Sequence, residues 1–182
     1  MQWHTKASNQ KGIIHEGQIL YVSEQFAFMS FHIQIEGLKY GDYMPKEFTC
    51  EGNDTSPAIK WSDPPASTKS YILILEDPDA PRGNFIHWVA YNIKHTVMEL
   101  PRNVDKVEKP ELGFTQGKND FGKVGYGGPC PPGKNKHHYI LTLYATLHTE
   151  ELPPMLTKKD LEKIIKDKTV KQASTMLMYG KS

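Results

Sequence analysis

The chain has 182 residues with a formal net charge of +1, long enough for one domain with a sizeable core and too evenly charged for a general affinity to nucleic acid or anionic membrane. Hydrophobic residues make up 38%, but no apolar run approaches the ~20 residues of a membrane span, so membrane insertion is not expected. Thirteen prolines and fourteen glycines, widely scattered, point to short strands and turns rather than a helical bundle.

In chain order, residues 1–28 read as an extension without a signal-peptide h-region. Its one strand-like piece is "GQILYV", an edge strand or else disordered. Residues 29–182 read as one domain. In "FHIQIEG", Phe31, Ile33 and Ile35 alternate with polar residues, the period of a half-buried strand. "TCEGNDTSP" is a loop and "AIKW" a short strand. Strands are then expected at Tyr71–Glu76, His87–Ile93 and Tyr139–Leu147. In the last of these, Tyr139, Leu141, Leu143, Ala145 and Leu147 share one face. Residues 101–136 are rich in Gly, Pro, Asn and Lys, and a loop of that length inside a domain is usually functional or disordered. A helix should follow Thr157, an N-cap with Asp160 as its acidic capping partner, and bury Leu161, Ile164 and Ile165. The fold expected is mostly β, an antiparallel sandwich with peripheral and C-terminal helix; a barrel is the alternative. With only Cys50 and Cys130, the sequence predicts free thiols and a cytoplasmic location.

The chemistry concentrates at strand ends. "YILILEDPDAPRG" carries Asp77 and Asp79 from an apolar run into a proline-stiffened turn, and carboxylates so placed need partners. His87 opens "HWVAYNI", His137 and His138 open "HHYILTLYATL", and "GYGGPCPPG" lies between. A carboxylate would fix the histidine tautomer and raise its pKa. Gly127 and Gly128 could offer consecutive N–H groups as an anion nest, stiffened by Pro129, Pro131 and Pro132. The sum is a small site for a phosphate-like anion, needing no cofactor and no metal. Each motif also has a plain structural reading, as capped turn, inert loop or satisfied histidine. A metal-assisted or acid–base hydrolase using Asp77, His87 and His137, and a Cys130–His137 nucleophile pair, are weaker alternatives, because no metal motif or nucleophile elbow is present.

Taken together, "FTCEGNDTSPAIKW", "DPDAPRG", "HWVAYNI", "GKNDFGKVGYGGPCPPG" and "HHYILTLYATL" resemble the phosphatidylethanolamine-binding protein family, also called the Raf kinase inhibitor protein family, and its bacterial and archaeal branch most of all. The resemblance implies a β-sandwich with a pocket for phosphate, acetate-like ions or the phosphoethanolamine head group. Carried over, that pocket comprises Asp77, Asp79, Pro81, His87, Gly127, Gly128, Pro131, Pro132, His137 and Tyr139. It further implies a binding or regulatory protein rather than an enzyme, with a kinase or a serine protease as a partner to be modulated or inhibited. Two departures stand out. The family usually reads His-Arg-Tyr where this chain has His137-His138-Tyr139, and Phe85 stands where animal members often carry Trp.

Overall fold

The computed structural model describes residues 30–181 throughout and, before them, two strands only. The chain divides into two units, Met1–Ser30 and Phe31–Ser182. In the first, β1 (Gly12–His15) pairs antiparallel with β2 (Gln18–Tyr21), so the "QILY" of the expected strand is paired.

The second unit contains two antiparallel sheets. The smaller joins β3 (His32–Ile35), β4 (Ile59–Ser62) and β7 (Glu99–Leu100) in the order β3-β4-β7. The larger is built from β5 (Ser70–Asp77), β6 (Phe85–Lys94), β8 (Thr115–Gln116), β9 (His137–Thr146) and β10 (Thr169–Tyr179), in the order β10-β9-β5-β6-β8. The strand period decides the layers. Ile33, Ile35, Ile59 and Trp61 of the small sheet pack with Tyr71, Leu73, Leu75, Trp88, Leu141 and Leu143 of the large one. The intervening residues Ile72 and Ile74, with Ile86, Val89 and Tyr91, face the other way, onto Leu161 and Ile165 of α1 (Lys158–Lys168). β5 is thus buried on both faces, which is why its sequence is a continuous apolar run.

α1 begins as its sequence predicts. Thr157 accepts from the Asp160 N–H, and the Asp160 carboxylate accepts from the Thr157 N–H. The helix is not the last element, however. The C-terminal segment is β10, an eleven-residue strand on the edge of the large sheet, in a stretch to which the sequence reading assigns no element of its own. Its pattern, "TVKQASTMLMY", buries Ala173, Thr175, Leu177 and Tyr179 alternately, but its first half is polar and hides the period. Leu147, expected to extend the face of β9, lies beyond that strand and is 48% exposed.

The long loop region is ordered by buried polar groups. Gln116 accepts from the Trp88 indole N–H at 2.8 Å and donates to the Asp105 and Val107 carbonyls. Asn119 donates to the Gly125 carbonyl and accepts from the N–H groups of Phe121 and Lys123. Such fully satisfied amides hold a chain with little secondary structure in one conformation.

The second ordering device corrects the sequence reading directly. Cys50 and Cys130 are joined in a disulfide with Cα atoms 5.4 Å apart. The Cys50 N–H also donates to the Pro129 carbonyl at 3.1 Å. Two cysteines separated by 80 positions carry no local sign of pairing; the tertiary fold brings their loops together. The expectation of a reducing compartment rested on free thiols, and that ground is removed. Among the described residues, no helix is long and apolar enough to cross a membrane.

Candidate functional site

Because β5, β6 and β9 are antiparallel neighbours, the end of β5 meets the starts of β6 and β9. This register carries Asp77, His87 and His137 to one end of the large sheet. Asp77, Pro81, His87, Pro131 and Pro132 line a cavity of about 250 Å³, together with Arg82, Phe85, Phe121 and Cys130.

Asp77 and His137 form a buried pair: the His137 Nδ1–H donates to Asp77 Oδ2 at 2.7 Å. The other Asp77 oxygen accepts from the Asp79 N–H at 2.8 Å, closing the Asp-Pro-Asp turn on itself. Asp77 therefore closes the turn and orients a buried histidine at once. His137 lies behind Asp77 rather than on the cavity wall.

His87 is held differently from the expectation. Its Nδ1–H donates to the Gly127 carbonyl at 2.7 Å, not to a carboxylate. Burial then pushes the imidazole below its usual range, outweighing the opposing pull of the Gly127 carbonyl and the Asp77 charge. The neutral ring with Nδ1 protonated leaves Nε2 as an acceptor. Three aromatic rings, Phe85, Phe121 and Tyr139, contact the imidazole with centroids 5.1 to 5.3 Å away. Phe121 in turn is positioned by Asp120, whose carboxylate accepts from the Ile86 N–H at 2.7 Å. The Tyr139 hydroxyl is buried near the Asp77 carboxylate without a well-aligned hydrogen bond, and burial, then that charge, raises its pKa far above the ordinary phenol.

The Gly127–Gly128 nest is not formed. The Gly127 N–H donates to the His87 carbonyl, and the Gly128 N–H to Asp54 Oδ1 at 2.6 Å. Both amides are already used inside the protein. The glycines are required for another reason, close approach: a Cβ on Gly127 would come within 2.7 Å of the Phe121 ring, and one on Gly128 within 2.2 Å of the Phe48 carbonyl oxygen. Both line a neighbouring cavity with Asp54 and Lys106, beyond Phe121 and Cys130.

Asp79 also leaves the pocket. Its carboxylate accepts from the His138 backbone N–H at 2.8 Å and from the His138 Nδ1–H at 2.6 Å. These bonds, the backbone one foremost, hold its pKa below the usual carboxylate range. His138 thus supplies a brace at the position where the family usually has Arg. The cation on the cavity wall is Arg82, exposed and without a carboxylate partner among the described residues. Within "DPDAPRG" nothing local marks Arg82 for a role. Asp54 and Asp120 are likewise unmarked in the sequence, because the backbone N–H groups that donate to them lie on distant segments.

The architecture is a two-sheet β-sandwich with a small, mostly apolar cavity at the strand ends, into which Asp77, His87 and Arg82 bring polar groups. The chain belongs to the phosphatidylethanolamine-binding protein family, whose model matches residues 34–180. It is 46% identical to a UPF0098 protein of Aquifex aeolicus over 144 residues, 78% of this chain and 83% of that one. It is 39% identical to the UPF0098 protein YbcL of Escherichia coli over 150 residues, 74% of this chain and 81% of that one. The crystal structure of E. coli YbcL, described as a member of the mammalian family, superposes with a TM-score of 0.77 at 29% identity, covering 84% of this chain and 99% of that one. The structure of the homologue CT736 from Chlamydia trachomatis gives a TM-score of 0.77 at 32% identity, with the same shares covered.

Proposed function

We propose that the protein is a non-enzymatic binding module whose pocket takes a small phosphate-like anion, such as the phosphoethanolamine head group. One observation carries this reading: Arg82 and His87 share a cavity of about 250 Å³ with an Asp77 whose charge already faces His137. Arg82 offers a permanent planar donor for an oxyanion. Asp77 can accept from a phosphate O–H or a ligand ammonium. A cavity of this size holds a head group and not acyl chains. Cys130 is oxidised in a disulfide, which speaks against the thiolate nucleophile weighed above. Modulation of a kinase or another signalling partner is the regulatory half of this reading, and rests on the family resemblance.

His87 adds a signature. Its Nε2 is an acceptor when neutral, so a fully ionised phosphate can engage it only after a proton is taken up. Calorimetric titration with phosphoethanolamine and inorganic phosphate, in buffers of different ionisation enthalpy near neutral pH, should show binding with proton uptake. Arg82→Gln should weaken binding about tenfold, the scale of one charge-assisted contact. Wild-type heats indistinguishable from dilution would refute the reading.

A further inference from the structure

The disulfide stands between two cavities. Cys130 lines both the cavity of Asp77 and His87 and a neighbouring one of about 210 Å³, and Phe121 is the other residue they share. Pro131 and Pro132, which follow Cys130 in the chain, are part of the wall of the first. We infer that Cys50–Cys130 is a redox switch for that wall: reduction by a dithiol releases residues 130–136 and weakens capture of the anion. The anion half of this inference rests on the pocket reading above; the release of the wall does not.

The uneven anchoring of the loop carries the inference. Up to Cys130 the chain is held by hydrogen bonds. The Gly127 N–H donates to the His87 carbonyl at 2.9 Å, the Gly128 N–H to Asp54 Oδ1 at 2.6 Å, and the Cys50 N–H to the Pro129 carbonyl at 3.1 Å. At His137 it is held again, by pairing with Tyr179 of β10 and by the bond to Asp77. Between these points no hydrogen bond or ion pair among the described residues reaches residues 131–136. Gly180 lies close against Lys134 and Lys136, near the far anchor. Pro131 and Pro132 have no N–H to donate, and Pro132 to Lys136 are exposed. The covalent bond at Cys130 is therefore the last fixed point before the stretch that walls the pocket.

That bond is reachable, since Cys50 is exposed. A thiolate of the dithiol attacks Cys50 Sγ, the S–S bond breaks, and Cys130 leaves as a thiolate that takes up a proton. The second thiol of the reagent then displaces Cys50, which is protonated in turn, and the reagent closes into its own disulfide. Two electrons pass to the protein. Reduction and binding are linked: an anion that prefers the fixed wall makes the disulfide harder to reduce by the factor that reduction costs the anion.

The test compares the oxidised full chain, the chain reduced with dithiothreitol, and the double variant Cys50→Ser with Cys130→Ser. Each is titrated calorimetrically with phosphoethanolamine. Reduction should weaken binding about tenfold, the effect of a wall in place a tenth of the time. The double variant should match the reduced chain and ignore dithiothreitol. Saturating phosphoethanolamine should raise the ratio of reduced to oxidised dithiothreitol at the reduction midpoint by the same factor. A second readout needs no ligand. The ¹⁵N order parameters of the Cys130 and Gly133 amides should fall on reduction from about 0.85 to below about 0.6, while those of Leu73 and Leu143 in the core strands hold. Equal affinities in the two states overturn the switch. So do unchanged order parameters at Cys130 and Gly133, or a loss of order that extends to Leu73 and Leu143. Absence of heat in every form refutes the pocket reading and the anion half with it; a fall confined to Cys130 and Gly133 then still sustains the release of the wall.

Discussion

The two ends of the large sheet are made from the same three strands and differ in how their polar groups are treated. At the Asp77 end four polar contacts are closed inside the protein, while the buried Tyr139 hydroxyl and the exposed Arg82 are left without a matching partner. Asp77 takes His137, His87 takes the Gly127 carbonyl, Asp54 takes the Gly128 N–H, and Asp79 takes His138. At the other end, just past β9, a buried donor on His148 has no such match: its Nδ1 accepts from the Lys168 ammonium at 3.3 Å, which puts the ring proton on Nε2. The first arrangement gives a rigid pocket whose shape does not depend on a ligand. The second leaves the His148 Nε2 buried without a partner. Pairing makes side chains at the first end costly to remove, whereas an unpaired group contributes little stability to lose.

The largest effect should come from breaking the buried pair. Asp77→Ala leaves His137 without its acceptor, and chemical denaturation should show a loss of about 3–5 kcal/mol. The control at the other end is Glu151→Ala, whose exposed partner Lys109 loses only a solvated contact; its unfolding midpoint should not move measurably. Equal losses in both variants would erase the contrast between the ends.

Next in size is the disulfide. Cys50 is exposed and Cys130 lies on the wall between two cavities, so a thiol reductant has access. Reduction, or the double variant Cys50→Ser with Cys130→Ser, should lower stability by about 2–4 kcal/mol in a denaturant titration. The change should weaken phosphoethanolamine binding and leave the His148 resonances in place. A reduced protein with unchanged stability would mean that the backbone bonds of residues 119–128 hold the loop alone.

His148→Phe should be nearly silent, within about 1 kcal/mol of wild type, because it removes an unsatisfied donor along with the ring contacts. His137→Phe, at the paired end, should cost several times more. Comparable losses would show that the His148 Nε2–H is satisfied in solution.

The smallest effect is in pH. The folded-state pKa of His87 is depressed, so its contribution is fully present above the ordinary histidine value of about 6.5 and is lost as pH falls through the lower folded value. Stability should therefore decline on acidification from neutral pH, and His87→Gln should flatten that part of the profile in thermal melts. An unchanged profile would assign the acid sensitivity elsewhere, for example to Asp79, which is likewise depressed and loses its contribution at lower pH.

Local patterns settled much of this before any tertiary contact was considered. The alternation in "FHIQIEG" produced β3, the apolar run from Ile72 to Leu75 produced a doubly buried β5, and Thr157 with Asp160 produced the capped start of α1. Those signals are legible because helix and strand periods and caps depend on residues within a few positions of one another. The same locality put Asp77, His87 and His137 at strand ends, and the family motifs made their convergence expected. β10 escaped because half of an exposed edge strand has no apolar face to alternate. What only the tertiary structure decided was who partners whom: Cys50 with Cys130, Asp54 with Gly128, His87 with a carbonyl instead of a carboxylate, and His148 with nothing at Nε2. Pairings across many tens of residues follow from sheet register and loop packing, and no short stretch of sequence encodes either.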